Sequence, residues 1–171
     1  VKRFDRIGTR RIHFSSALSL LGQTDGASDS SYLDLADFIT KAGASPREDL
    51  TELWKRILFS MAVSNTDDHL RNHGFLLTEK GWRLSPMFDV NPVPYGEALS
   101  LNVSMDDSRI DLDLAFEAAS FFGLTQKDAE NEAAKMLTTI KKQWRRISGA
   151  CGLSREAQNE MAHAFELCNM L

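Results

Sequence analysis

The sequence predicts a mainly α-helical chain with one small β-hairpin element in its middle. Four segments place apolar residues at helical spacing, and two short apolar runs flank a turn signal at Glu79-Lys80-Gly81. One loop-like tract, Gly22–Ser31, separates the early part from the rest. With 171 residues the chain can form a single domain, 1–171, with a real core.

Taken in order, weaker helical patterns cover Ser15–Leu21 and Ser31–Lys41. The first strong helix is "SPREDLTELWKRILFSMAVSN", with Leu50, Leu53, Trp54, Ile57, Leu58, Met61 and Ala62 on one face. Ser45 as N-cap, Pro46 at the first helical position and Glu48 as capping-box partner predict its start. The hairpin of Gly74–Leu84 is expected to lie against this helix, which ends near Val63. "ALSLNVSM", Ala98–Met105, alternates apolar and polar residues and reads as a further strand. Asp106-Asp107 reads as a turn before the second strong helix, Leu112–Phe122. The third helix begins near Thr125, with Asp128 three residues on, and carries a stripe from Ala129 to Ile147. The fourth starts at Ser154 and carries Ala157, Met161, Ala164, Phe165 and Cys168. All four stripes read as core.

Composition narrows the function classes. Apolar residues make up 43% and charged residues 26%, as in ordinary globular proteins, and the net charge of -4 argues against direct nucleic-acid binding through a basic surface. No apolar run approaches the roughly 20 residues of a membrane span, and no signal peptide is visible. Cys151 and Cys168 lack metal-ligand spacing and read as reduced core thiols, so the expected location is cytoplasmic. His13 and His163 read as structural residues in helices, His73 as a surface or strand-edge residue and Trp82 as packing. Arg10-Arg11 and Arg145-Arg146 read as solvated faces.

The chemistry concentrates in Asn65–His73, which holds two carboxylates, two imidazoles and two carboxamides between a long helix and the hairpin. Asp67 and Asn72 are five residues apart. Asp89 follows at the end of the second strand, and a hairpin returns its end towards its start, so Asp89 is expected near Asn72. Such oxygen ligands suit Mg²⁺, which takes one or two carboxylates together with substrate phosphates. In protein kinases an Asp accepts the hydroxyl proton, and an Asn five residues later and a second Asp beyond a short hairpin hold the metal. Asp67, Asn72 and Asp89 share that spacing, although Phe88 precedes Asp89 and Val90 follows it, in place of Phe-Gly after the Asp.

The run N-x-D-x-H-x-x-N (Asn65, Asp67, His69, Asn72), followed by "GFLL" and "LSPMFDV", resembles the HipA-like serine/threonine kinases, bacterial toxins of toxin–antitoxin systems. "RFDR" at Arg3–Arg6, "ALSLNVSM", and "FFGL" at Phe121–Leu124 with Trp144 extend the resemblance over nearly the whole chain. It implies a kinase-like C-terminal helical lobe that uses ATP and Mg²⁺. Asp67 would be the catalytic base, and Asn72 and Asp89 the Mg²⁺ ligands. Backbone groups of Lys2 and Phe4 would meet adenine, and Asp5 would lie near the ribose. His69 would have a structural or phosphate-orienting role, whereas Asp68 occupies a variable position with no assigned role. The implied partners are a protein substrate phosphorylated on serine, such as an aminoacyl-tRNA synthetase, and an antitoxin with a DNA-binding fold. The lobe that carries the phosphate-binding loop and ATP-contacting lysine is expected before Val1, so this chain alone is expected to be inactive.

Two other readings stand beside this one. A metal-dependent phosphohydrolase built on Asp67, Asp68 and His69 would want further ligands, for which His13 and His163 are distant candidates. A non-catalytic, kinase-like interaction module would not need to keep Asp67, Asn72 and Asp89 together.

Overall fold

The chain is mainly helical, as expected, and its sheets are small and antiparallel. The computed structural model describes residues 3–24 and 30–170. Strands β1 (Arg6–Ile7) and β2 (Arg10–Arg11) pair with each other, and β3 (Phe14–Ser16), β4 (Gly74–Thr78) and β5 (Gly81–Leu84) form a three-stranded sheet in that order. Around it lie α1 (Ala17–Leu20), α2 (Tyr32–Ala42), α3 (Pro46–Ala62), α4 (Leu112–Ala118), α5 (Gln126–Ala150) and α6 (Arg155–Met161). Two 3-10 segments, Ala119–Phe122 and Ala162–Asn169, extend α4 and α6. Among the described residues no helix is long and apolar enough to cross a membrane.

The core forms around α3. Its Leu53, Trp54, Ile57, Leu58 and Met61 are fully buried, and the Trp54 indole N–H donates to the carbonyl of Ala115 at 2.8 Å. A smaller cluster lies at its C-terminal end, where Val63, Leu137, Ile140 and Phe165 pack and Trp144 stacks on Phe165 with ring centroids 4.4 Å apart.

Pro46 opens α3 as expected, but the capping box at Ser45 and Glu48 does not form. Arg83 of β5 takes both partners: its guanidinium donates to Ser45 Oγ at 3.2 Å and to Glu48 Oε2 at 3.0 Å, and its Nε to the buried Asp49 carboxylate. Asp49 also accepts the backbone N–H of Leu84 at 3.1 Å. The hairpin therefore joins the N-terminal half of α3, and Arg56 donates to the carbonyl of Ser85 at 2.6 Å beyond it. A capping box forms instead at α2, where Ser31 Oγ accepts from Leu33 and the Ser31 N–H donates to Asp34.

Other expectations are corrected. Ser15–Leu21 divides into β3 and the short α1, because Ser16 caps the helix only after β3 has paired with β4. Ala98–Met105 keeps its alternation, with Leu99, Leu101 and Val103 buried, but it is not a strand. Among the described residues it pairs only in isolated bridges, Ala98 with Arg109 and Asn102 with Ser31, and its N–H groups reach scattered carbonyls of Ser108, Ser30 and Asp107. His13 lies outside any helix, with its ring against Trp82, which packs on the core as expected. Cys168 is buried, but Cys151 is exposed just past α5 and is no core thiol.

Candidate functional site

The segment that carries the motif begins where α3 ends. Ser64 takes a left-handed conformation, φ 53°, which breaks the helix and turns the chain into Asn65–His73. Asp89 (φ 55°) and Tyr95 (φ 65°) are the other non-glycine residues with positive φ among those described. All three lie in the motif segment or the segment after the hairpin. Such conformations cost on the order of 1–3 kcal/mol each and concentrate at functional sites.

Asn65 joins the two segments. Its side chain is 1% exposed; its Oδ1 accepts the backbone N–H of Asn91 at 3.1 Å, and its Nδ2 donates to Ser60 Oγ at 3.4 Å. Further ties run in parallel: the Val93 N–H donates to the carbonyl of Ser64 at 3.1 Å, Ser64 Oγ donates to the carbonyl of Gly96, and Ser100 Oγ donates to that of Thr66 at 2.6 Å. Asp89 sits two residues before Asn91 and is exposed, with Oδ1 accepting from Asn91 Nδ2 at 3.2 Å. It lies five residues beyond the end of β5, not at the strand end as the sequence suggested.

Asp67 and Asn72 share one turn. The Asp67 side chain is 78% exposed, whereas Asn72 is buried and its Nδ2 donates to the Asp67 carbonyl at 3.0 Å. That bond commits the amide nitrogen and leaves its oxygen as the atom to meet a cation. His69 Nε2 stands 4.0 Å from Asp67 Oδ1, and its Nδ1 is buried with no hydrogen-bond partner among the described residues.

The Arg3–Arg6 string reaches the same region through aromatic rings. Phe4 stacks on Phe88, the residue before Asp89, with centroids 5.9 Å apart, and meets Phe14 at 5.8 Å. The Phe14 ring in turn passes over Gly74, two residues beyond Asn72, so closely that a Cβ there would fall 2.2 Å from its Cε2. Phe4, Asp89 and the end of the motif are thus gathered around one cluster. Asp5 is held by Arg3, whose Nε and terminal nitrogen donate to its two carboxylate oxygens at 2.7 and 2.5 Å; this bond keeps the carboxyl below its ordinary range. Lys2 lies outside the described residues.

Two residues that sequence reasoning set aside are central to the interior. His73 is 2% exposed, not a surface residue, and its Nε2 lies 3.0 Å from Asp68 Oδ1. Among the described residues neither ring nitrogen makes an aligned hydrogen bond in this close contact. Asp68, 3% exposed, accepts from Tyr32 at 2.5 Å and from Ser60 at 3.3 Å. Burial pushes its carboxyl up, but the neighbouring His73 imidazole and the hydroxyls of Tyr32 and Ser60 outweigh burial and hold it below the usual carboxylate range. Burial, with the Asp68 charge second, drives the Tyr32 hydroxyl well above its ordinary value. The pairing of Asp68 with a His five residues on was readable as a possibility of the turn; the contribution of Tyr32 left no signal in its own segment.

No group of three or more His, Cys, Asp or Glu side chains suited to a metal occurs among the described residues. The hydrolytic reading wanted such a group. His13 and His163 do not supply it: His13 packs on Trp82, and His163 pairs with Glu166 and stacks on Tyr95.

Comparison with known proteins agrees with this anatomy. The fold matches a HipA–HipB–operator DNA complex of a Shewanella oneidensis toxin–antitoxin system at a TM-score of 0.78 and 16% identity, covering 98% of this chain and 46% of that one. The kinase candidate Y4mE of Sinorhizobium fredii is 28% identical over 100 residues, which are 53% of this chain and 24% of that protein. The chain therefore spans less than half the length of either. Residues 1–144 match the HipA-like C-terminal domain, and the chain belongs to that family.

Proposed function

We propose that the complete protein is an ATP- and Mg²⁺-dependent serine/threonine protein kinase, the toxin of a toxin–antitoxin pair, and that this chain carries the kinase-like helical lobe with its catalytic residues. The observation that carries the reading is the bond from Asn91 to Asn65, which ties the Asp89 segment to the motif that holds Asp67 and Asn72. The Asp89 segment packs beside Phe4 of the Arg3–Arg6 string through Phe88.

The residues present fit the groups the reading needs. Asn72 and Asp89 offer one amide oxygen and one exposed carboxylate, a donor set that suits Mg²⁺ completed by phosphates. Bound there, Mg²⁺ would neutralise charge on the phosphates. His69 Nδ1, buried without a partner among the described residues, is a polar group that a phosphate or its water could satisfy. The exposed carboxylate of Asp67 would accept the proton of a substrate hydroxyl as the phosphoryl group arrives. Phe4 would offer backbone groups to adenine, as would Lys2; Asp5 would have to exchange Arg3 for the ribose.

The partners follow from the same reading: a protein substrate such as an aminoacyl-tRNA synthetase, and an antitoxin with a DNA-binding fold. The solved neighbour is itself a complex of HipA, HipB and operator DNA. The test is radiolabel transfer from ATP to protein by the complete protein. Transfer that requires Mg²⁺ and is lost in Asp67→Asn supports the reading; Mg²⁺-independent transfer, or none, refutes it.

A further inference from the structure

We propose that Asp68, His73 and Tyr32 are positioning residues: a buried brace that holds Asp67 and Asn72 in the geometry for phosphoryl transfer. The inference rests on the kinase reading above. Neighbouring side chains in this turn face opposite ways, with that of Asp67 78% exposed and that of Asp68 4%. Asn72 faces the Asp67 carbonyl, and the next residue, His73, points into the interior. The contact between Asp68 and His73 therefore closes the turn from below, at both of its ends. The Asn72 N–H, donating to the His69 carbonyl at 2.8 Å, closes it from within.

Three elements converge on this brace. Tyr32 reaches Asp68 from α2 and Ser60 reaches it from α3, while the Ala17 N–H at the start of α1 donates to the His73 carbonyl at 2.8 Å. The Tyr32 ring also meets His73 edge-on, with centroids 5.6 Å apart. Apolar side chains could fill the same volume, and replacing a buried ion pair in this way is often neutral or stabilising. What the hydrogen bonds of Tyr32 and Ser60 to Asp68 add is a single arrangement of the backbone that carries it. Here that backbone carries the base and a metal ligand, for which a 1 Å displacement can cost about 100-fold in rate.

The experiment uses the complete protein with three variants: Tyr32→Phe, Asp68→Asn, and Asp68→Asn with His73→Gln, which removes the pair without leaving a buried charge. Phosphotransfer kinetics and amide hydrogen exchange at 67–73 are measured on each. The brace predicts kcat lower by about tenfold in Tyr32→Phe and about 100-fold in the Asp68 variants, with KM for ATP within about twofold of wild type. Exchange at 67–73 should quicken by about tenfold while exchange in α3 does not change. A purely structural role would quicken exchange everywhere, α3 included, and lower activity only with the folded fraction. Folded variants with wild-type kcat overturn the proposal. Should Asp68→Asn fail to fold, Tyr32→Phe decides, since it removes one hydroxyl. Should the wild type transfer no phosphate, the kinase reading fails on its own, and unchanged exchange at 67–73 in the variants still overturns the brace.

Discussion

The side-chain oxygen of Asn65 accepts the backbone N–H of Asn91 at 3.1 Å, across 26 positions of sequence. With the parallel bonds of Ser64 and Thr66, that contact joins the two segments on which the proposed site rests. Asp67 and Asn72 follow Asn65, Asp89 precedes Asn91, and the hairpin lies between them. A loop beyond a hairpin is free to diverge from the hairpin's start; the Asn65 carboxamide prevents it. Asn65 is therefore the residue of the N-x-D-x-H-x-x-N run whose role is architectural.

Asn65→Ala should destabilise the fold by about 1–3 kcal/mol, because it leaves the Asn91 N–H without its acceptor and Ser60 without one partner. Urea denaturation of the variant measures this. An unchanged midpoint would mean that water replaces the carboxamide and that the loop is not fixed by it.

Gly74→Ala should cost about 1–3 kcal/mol by overpacking, although alanine is otherwise the milder residue in a strand. Its Cβ would meet the Phe14 ring at 2.2 and 2.7 Å, and the Ser85 hydroxyl at 3.0 Å. The ring must move, and with it Phe4 and Phe88. Thermal denaturation should show the loss, and Phe14→Ala in the same chain should recover part of it. No loss in the single variant would show that Phe14 swings aside freely.

The two thiols should react differently. Burial pushes Cys168 up to about 11, its Sγ donating to the carbonyl of Ala62, while Cys151 is exposed. At pH 8 only about one Cys168 in a thousand would be thiolate, so alkylation of the native protein should label Cys151 alone. The folded state holds the Cys168 proton more tightly than the unfolded state. This contribution to stability is therefore complete below the ordinary thiol value of 9.0 and is lost as pH rises towards about 11. Rapid labelling of both thiols in native protein would contradict this.

Much of this anatomy was legible in the sequence because it depends on local pattern. The stripe of α3, Pro46 at its start, the hairpin at Gly81 and the period-2 burial of Leu99, Leu101 and Val103 follow from spacing alone. What was not legible depends on partners distant in sequence. Ser45 and Glu48 have the form of a capping box, but Arg83 lies 38 residues beyond Ser45 and competes for it. Ala98–Met105 has the pattern of a strand but meets its neighbours only in isolated bridges, Ala98 with Arg109 and Asn102 with Ser31. His73 looks like a strand-edge residue until Asp68, Tyr32 and Ser60 are brought around it. The site residues themselves were legible as types and spacings; the carboxamide that joins their segments was legible only as part of a motif.

The most direct test of the account is ATP affinity of the complete protein, measured by calorimetry with and without Mg²⁺, for wild type, Asp67→Asn and Asp89→Asn. A base acts in the transition state, so Asp67→Asn should abolish phosphotransfer yet keep ATP affinity within about twofold of wild type. A metal ligand acts in the ground state, so Asp89→Asn should weaken ATP binding about tenfold or more in Mg²⁺ and leave binding without Mg²⁺ unchanged. The account predicts that split. Equal, Mg²⁺-independent affinity in all three proteins, or full phosphotransfer by Asp67→Asn, would contradict it.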